Sequence, residues 1–261
     1  WDITVSYTKN ENEVVSLAEG VDQVTLGGTA GANGMAIVAA VGHPFGTFYG
    51  VDLERVDQTD LNSAVVVDSA TGMPRVTTNA QYFGSYLPDY QMSFGSAIQY
   101  KNWRFNFLFD TKQGGQFFSR TKDVMDFVGT AEETVDREDQ VWEGSVYEAT
   151  DGSYQTNNTP YSPYDYYTNV IPAGRHLVDA SYVKLREMAI TYTFPDNMLR
   201  RSPFGQMSVS VFGNNLFIWT ADENKYTDPE MNSSGSGNAQ GFDFSPTPSV
   251  RNYGVNLRVT F

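Results

Sequence analysis

The sequence predicts an all-β fold, a transmembrane antiparallel β-barrel to which this chain contributes strands and long extracellular loops. Three observations predict it. Several segments alternate apolar and polar side chains with period two, the pattern of strands with one apolar face. The links between these segments are strongly unequal, as in outer-membrane barrels, where short periplasmic turns alternate with long external loops. No stretch approaches the roughly 18 consecutive apolar residues of a spanning helix, although aromatic residues make up 14% of the chain, with 16 Tyr and 17 Phe.

The first strand covers residues 1–8, with Trp1, Ile3, Val5 and Tyr7 on one face and Asp2, Thr4, Ser6 and Thr8 on the other. Residues 9–88 form a long loop, in which 36–50, 64–67 and 76–78 read as short strands folded over the barrel mouth. Tyr90, Met92, Phe94, Ile98 and Tyr100 then share a face, followed by Trp103, Phe105, Phe107 and Phe109, with only Leu108 out of pattern. Lys101-Asn102 is the tight turn of that hairpin. A second long loop, 114–180, holds the best candidate for a short helix at 121–128.

In the strand predicted over 182–194, Val183 and Leu185 are out of phase with Met188, Ile190, Tyr192 and Phe194. A β-bulge near Arg186-Glu187 accounts for the slip, as would a strand edge. Pro195 and Pro203-Phe204-Gly205 mark a short link to the strand at 207–220, whose phase is ambiguous around Gly213. After a third long loop, 221–249, Tyr253, Val255, Leu257, Val259 and Phe261 alternate with Asn252, Gly254, Asn256, Arg258 and Thr260. The order of long and short links runs the strands out and back and brings Phe261 to the periplasmic side. Six strands cannot close, because the smallest common barrels need about eight and open edges in lipid are costly. The chain, which starts on Trp1 inside a strand, therefore reads as a fragment whose missing wall precedes it.

A net charge of -14, from 31 acidic and 17 basic residues, repels nucleic-acid phosphates and argues against such partners. Mean hydropathy is mildly polar at -0.39, as expected when apolar residues fill only alternate strand positions. Without cysteine there are no disulfides or thiolates. The only histidines, His43 and His176, lack metal-ligand spacing, no serine lies in an elbow motif, and Gly235-Ser236-Gly237 does not follow the dinucleotide pattern. No enzyme activity, catalytic residue or cofactor is predicted. Glu132, Glu133, Asp136, Glu138 and Asp139 could offer oxygens to calcium, but a solvated acidic loop is the favoured reading and no metal site is assigned. Asp222, Glu223, Asp228 and Glu230 face the same choice. Tyr147, Tyr154, Tyr161, Tyr164, Tyr166 and Tyr167 crowd one external segment and are candidates for contact with substrate or a partner. They could equally pack the loop on itself or join an interfacial girdle. Trp1, Trp103, Phe105, Phe107 and Tyr192 are expected to face lipid or the girdle.

Specific blocks then carry a resemblance. The run Asp179-Ala180-Ser181-Tyr182-Val183-Lys184-Leu185-Arg186-Glu187, leading into Ile190-Thr191-Tyr192-Thr193-Phe194-Pro195, resembles a signature strand of SusC/RagA-type TonB-dependent receptors. Phe212-Gly213-Asn214-Asn215-Leu216-Phe217, Asp228-Pro229-Glu230, Asn238-Ala239-Gln240-Gly241-Phe242 and the stretch 251–261 follow in the family's order. Val41 to Gly50, Leu87-Pro88-Asp89 and Gly114-Gly115 are similar to weaker landmarks, while 51–80 and 120–175 match by position alone. The resemblance implies the C-terminal part of a barrel of about 22 strands, with a plug and TonB-contact segment outside this chain. It also implies a SusD-like surface lipoprotein as lid and active import of oligosaccharides or peptides. Asp228-Pro229-Glu230 then points to loop architecture or lid contact. The terminal Phe261 resembles the signal read by the outer-membrane assembly machinery. Two rivals share parts of the pattern: a passive porin-type barrel and a soluble all-β binding module.

Overall fold

The structure, a computed structural model, describes residues 1–28, 34–233, 235 and 237–261, so Ser236 of the Gly235-Ser236-Gly237 run lies outside the described residues. In chain order the strands begin with β1 (Asp2–Thr8), β2 (Gln23–Gly28), β3 (Met35–Ala40), β4 (Thr47–Gly50) and β5 (Gln81–Ser85). The hairpin β6 (Tyr90–Tyr100) and β7 (Trp103–Gln113) follows, then β8 (Gln116–Ser119) and helix α1 (Arg120–Val128). Next come β9 (Val146–Glu148), β10 (Tyr154–Thr156), β11 (Leu177–Asp179) and β12 (Tyr182–Thr193). The chain ends with β13 (Gln206–Thr220), β14 (Phe242–Asp243) and β15 (Asn252–Thr260).

Six of these strands form one antiparallel sheet in the order β1-β6-β7-β12-β13-β15. Its members are the six strands expected from the alternation, and β1 and β15 are its open edges. An 11-residue strand such as β6 or β7 is about 36 Å long and rises about 25 Å when tilted by about 45°, the height of a lipid-facing apolar band. The β6–β7 turn falls on Lys101 and Asn102, with Lys101 in the left-handed region at φ 53°.

The phase slip is a bulge. Phe109 and Leu108 of β7 oppose Leu185 and Glu187 of β12, which leaves Arg186 unmatched. Between β12 and β13 the pairing jumps from Leu185↔Phe217 to Glu187↔Asn214, so β13 carries a further residue. Asn215, at φ 53°, takes the left-handed conformation that this bulge needs and that Asn tolerates well. The ambiguity around Gly213 has the same origin.

The long loops are folded against one another. The first contributes the sheet β2-β3-β4-β5, and the second and third combine in β11-β8-β14, where β14 runs parallel to β8. Met35, Ile37 and Phe48 from the first loop meet Phe118 and Ala173 from the second and Phe242 from the third in one buried core. Expected strands at 36–50 are β3 and β4, and expected strands at 64–67 and 76–78 are isolated bridges such as Arg55↔Val65 and Leu53↔Val76. Helix α1 matches the expected turn at 121–128; the Ser119 hydroxyl caps it by accepting from the Lys122 amide at 3.2 Å, and Gly129 ends it at φ 73°. A short helix at Asp196–Leu199, in the link after β12, was not legible in the sequence.

Candidate functional site

The six-stranded sheet has two unlike faces. Across one of them run Ile3, Val5, Tyr7, Met92, Phe94, Phe105, Phe107, Met188, Ile190, Val209, Val211, Val255 and Leu257, kept in line by the strand pairing. These side chains do not meet a second sheet: Val211, Val255 and Leu257 are 60%, 70% and 58% exposed. Among the described residues, none of the three buried apolar clusters draws on these strands. That excludes the soluble sandwich, whose apolar rows would be the core, and it gives the sheet the make-up of a lipid-facing wall. No helix among the described residues is long and apolar enough to cross a membrane.

Aromatic rings edge this face at both ends, as in an interfacial girdle. At the short-turn end Tyr100 pairs with Trp103 and Trp103 with Tyr192, whose ring centre lies 4.8 Å from that of Trp103. At the loop end Tyr7 stacks on Tyr90 at 5.7 Å and Trp219 on Phe217 at 5.8 Å. A polar side chain on this face is satisfied locally, since the Trp1 indole donates to the Ser96 hydroxyl at 2.8 Å. Phe261 is 88% exposed at the short-turn end, its ring edge against Phe204 at 5.5 Å.

The opposite face is polar and carries the main electrostatic feature. Tyr182, Lys184 and the bulged Arg186 project from β12 towards the strap 228–230 of the last loop. The Lys184 ammonium lies 2.7 Å from Asp228 Oδ2 and 2.6 Å from Glu230 Oε2, with both Lys184 and Asp228 nearly buried. Arg186 donates to Asp110 at 2.6 Å and to Glu230 Oε2 at 2.7 Å, and also pairs with Glu230 Oε1. The Tyr182 hydroxyl donates to Glu230 at 3.2 Å. Burial by itself would push the Glu230 carboxyl up, but hydrogen bonds and attraction from Arg186 and Lys184 outweigh it and hold the group down at about 2. Asp228 is thus not a solvated loop charge, and Glu230, although 41% exposed, is engaged with it in fastening the strap to the wall. Two blocks that read as separate landmarks are the halves of one latch. Gly241 has a similar architectural reason, since at φ 89° a Cβ there would come within 2.7 Å of Tyr86 Cβ.

The acidic residues of the run at 132–139 are exposed, as in a solvated loop, and two of them also make cross-loop contacts. Glu132 pairs with Lys225 at 2.7 Å, and Glu133 accepts from the Tyr226 hydroxyl at 2.8 Å and pairs with Lys122 at 3.5 Å, so this run ties the second loop to the third. Asp136, Glu138 and Asp139 are exposed too and make no ion pair among the described residues. Asp222 is exposed, and Glu223 accepts from the Asp179 amide at 2.5 Å. His43 packs in a tilted arrangement on Tyr82 with ring centres 4.0 Å apart. His176 is buried, 3.1 Å from an Asp126 carboxylate oxygen, a packing role that the sequence did not reveal.

The six loop tyrosines are not placed alike. Tyr161 and Tyr166 are buried with Leu53, Val65 and Val67 in a second loop core, where Trp142 packs on both at 5.5 and 5.3 Å. Burial pushes both phenols up. Tyr147 and Tyr167 flank that core: Tyr147 donates to Gln155 at 2.7 Å, and Tyr167 donates to the Glu133 carbonyl at 3.1 Å. Burial, aided by the Asp126 charge, pushes the Tyr167 phenol up to about 12. Tyr164, 70% exposed, and Tyr154, 45% exposed, are the two that face outward.

Fold and faces together define a segment of barrel-type β-wall, apolar and exposed on one face, with the long loops folded together at one end. Comparison with known proteins narrows this class. No family model matches the chain. It is 23% identical over 282 residues to TonB-dependent receptor P3 of Formosa agariphila, covering 100% of this chain and 27% of that protein. It is 25% identical over 280 residues to TonB-dependent receptor P26 of the same organism, again covering 27% of it. Among solved structures, a structure of the RagAB peptide transporter superposes with a TM-score of 0.63 at 13% identity, over 99% of this chain and 26% of the other. The RagAB peptide importer in its open-open state gives 0.61 at 16% identity. The likeness to TonB-dependent receptors read from the sequence therefore extends over the whole chain, which spans about a quarter of the length of these relatives.

Proposed function

We propose that this chain is the C-terminal wall segment and external headpiece of a TonB-dependent outer-membrane importer of a bulky nutrient, an oligosaccharide or oligopeptide. The observation that carries the reading is the two-faced sheet: an exposed apolar face bordered by aromatic rings, a polar face behind it, and folded loops at one end only. In this reading residues 1–261 belong to one barrel domain of about 22 strands. A plug and a TonB-contact segment lie elsewhere in the parent protein. A SusD-like lipoprotein covers the headpiece, with Tyr154 and Tyr164 as outward contacts, and Phe261 serves the outer-membrane assembly machinery. The chain has no catalytic part in this process.

The test is uptake of labelled oligosaccharides and oligopeptides by cells carrying the parent transporter and its lid, with and without functional TonB. TonB-dependent uptake of one class is expected. Uptake that persists without TonB would favour a passive porin instead.

A further inference from the structure

On the polar face, a cleft of ≈ 250 Å³ lies between the loop ends of β6, β7 and β12 and the latched strap, lined among others by Gln91, Lys112, Gln116, Tyr182 and Gln240. Lys112 points to this side, paired across the sheet with Gln91 and Tyr182. It is half-buried, yet among the described residues its only hydrogen bond is a long one of 3.5 Å to the Tyr86 carbonyl, and it makes no ion pair there. The two neighbouring cations on this face, Lys184 and Arg186, are fully engaged. They also occupy the two carboxylates that line the cleft with Lys112: Asp110 with Arg186, and Glu230 with both. Glu230 attracts Lys112 across the cleft without forming a contact pair.

Besides the engaged carboxylates of Asp110 and Glu230, the lining holds neutral donors. Gln116 has its oxygen taken by the Gly84 amide at 2.9 Å, which leaves its NH2 as a donor. The side chains of Gln91, which is exposed, and of Gln240 add further amide groups to the lining. A partly desolvated ammonium without a counter-ion is unfavourable, and an anion with several acceptor sites relieves it most. Carboxylate oxygens supply that charge together with lone pairs for the surrounding amides.

We infer that the Lys112 cleft is a subsite for a carboxylate group of the transported ligand. The inference rests on the import reading, which makes the polar face the ligand's path. The carboxylate could come from the C-terminus of a peptide or from a uronic-acid residue of an oligosaccharide, and the probes separate these sources.

The experiment is calorimetric titration of the complete transporter with its lid in detergent. One pair of probes is tetra-alanine with a free and with an amidated C-terminus; the other is trigalacturonate and the corresponding neutral galactose trisaccharide. One carboxylate-bearing probe is expected to bind roughly ten-fold more tightly than its neutral partner, the size of a hydrogen bond to a charged group. Lys112→Met should abolish that ratio and leave the neutral probe's affinity unchanged, while Lys112→Arg should retain it. The pair that shows the ratio names the source. Equal binding within both pairs, absence of binding by both acidic probes, or a ratio that survives Lys112→Met would overturn the subsite. An equal loss for acidic and neutral probes in Lys112→Met would also overturn it, as a structural effect. None of these outcomes touches the import reading, which falls only if uptake proves independent of TonB.

Discussion

The wall and the headpiece are built from one chain by opposite rules. In the wall, Val5, Ile190, Val211 and Val255 stand exposed, and the buried side chains include the polar Lys184 and Ser96. In the headpiece, Met35, Ile37, Phe48, Phe118 and Phe242 are buried, and charged residues such as Glu132 and Lys225 lie outside. The difference teaches that burial measured against water is the wrong guide for one face of the wall: in the proposed reading that face is matched to lipid, the headpiece core to itself.

Substitutions that exchange the two rules should break the contrast most sharply. Phe48→Ala, in the shared core of the three loops, is expected to destabilise the headpiece by about 3–5 kcal/mol, the usual cost of emptying a buried Phe site. Protease susceptibility of the loops under rising urea would register it, with the wall unaffected. Val211→Arg comes next. At a water-facing site a substitution of so exposed a residue would cost within about 0.5 kcal/mol, whereas near the middle of a lipid-facing band about 2–4 kcal/mol is expected. Unfolding titrations in bilayers distinguish the two values. Gly241→Ala is expected to cost about 1–3 kcal/mol through backbone strain, because a side chain at φ 89° also presses on Tyr86. It should loosen the joint between β8 and β14 without altering membrane insertion.

The smallest effect sharpens the boundary between the regions. Glu230 has its carboxyl held below the ordinary value of 4.5, at about 2. The stability that this depression supplies is complete above the unfolded value and is lost as pH falls through the folded one. Solvent screening of a side chain 41% exposed reduces its size. Loop protection against proteolysis should therefore be flat from pH 7 to 5 and weaken only in strong acid. In Glu230→Gln it should be lower at every pH in that range.

How much of this was legible follows from range. The wall strands could be read because period two is a local property, and the bulge at Arg186 announced itself as a slip between Leu185 and Met188. The headpiece could not be read in detail, since β8, β11 and β14 are two to four residues long and are brought together from distant parts of the chain. The latch was hidden for the same reason: Lys184 and Arg186 meet acids of the last loop 44 to 46 positions away, and charge in a loop looks solvated until its partner is placed. The crowded tyrosines signalled that the segment was special but did not separate core members such as Tyr161 and Tyr166 from the exposed Tyr164.

The claim on which the rest depends is that one face of the six strands touches lipid. The chain has no cysteine, so single cysteines at Val211, Val255, Ser210 and Asn256 can be labelled with a fluorophore in the membrane-reconstituted transporter. Brominated lipids should quench the labels at Val211 and Val255 and spare those at Ser210 and Asn256. Equal quenching at all four positions, or quenching of the polar pair alone, would contradict the account.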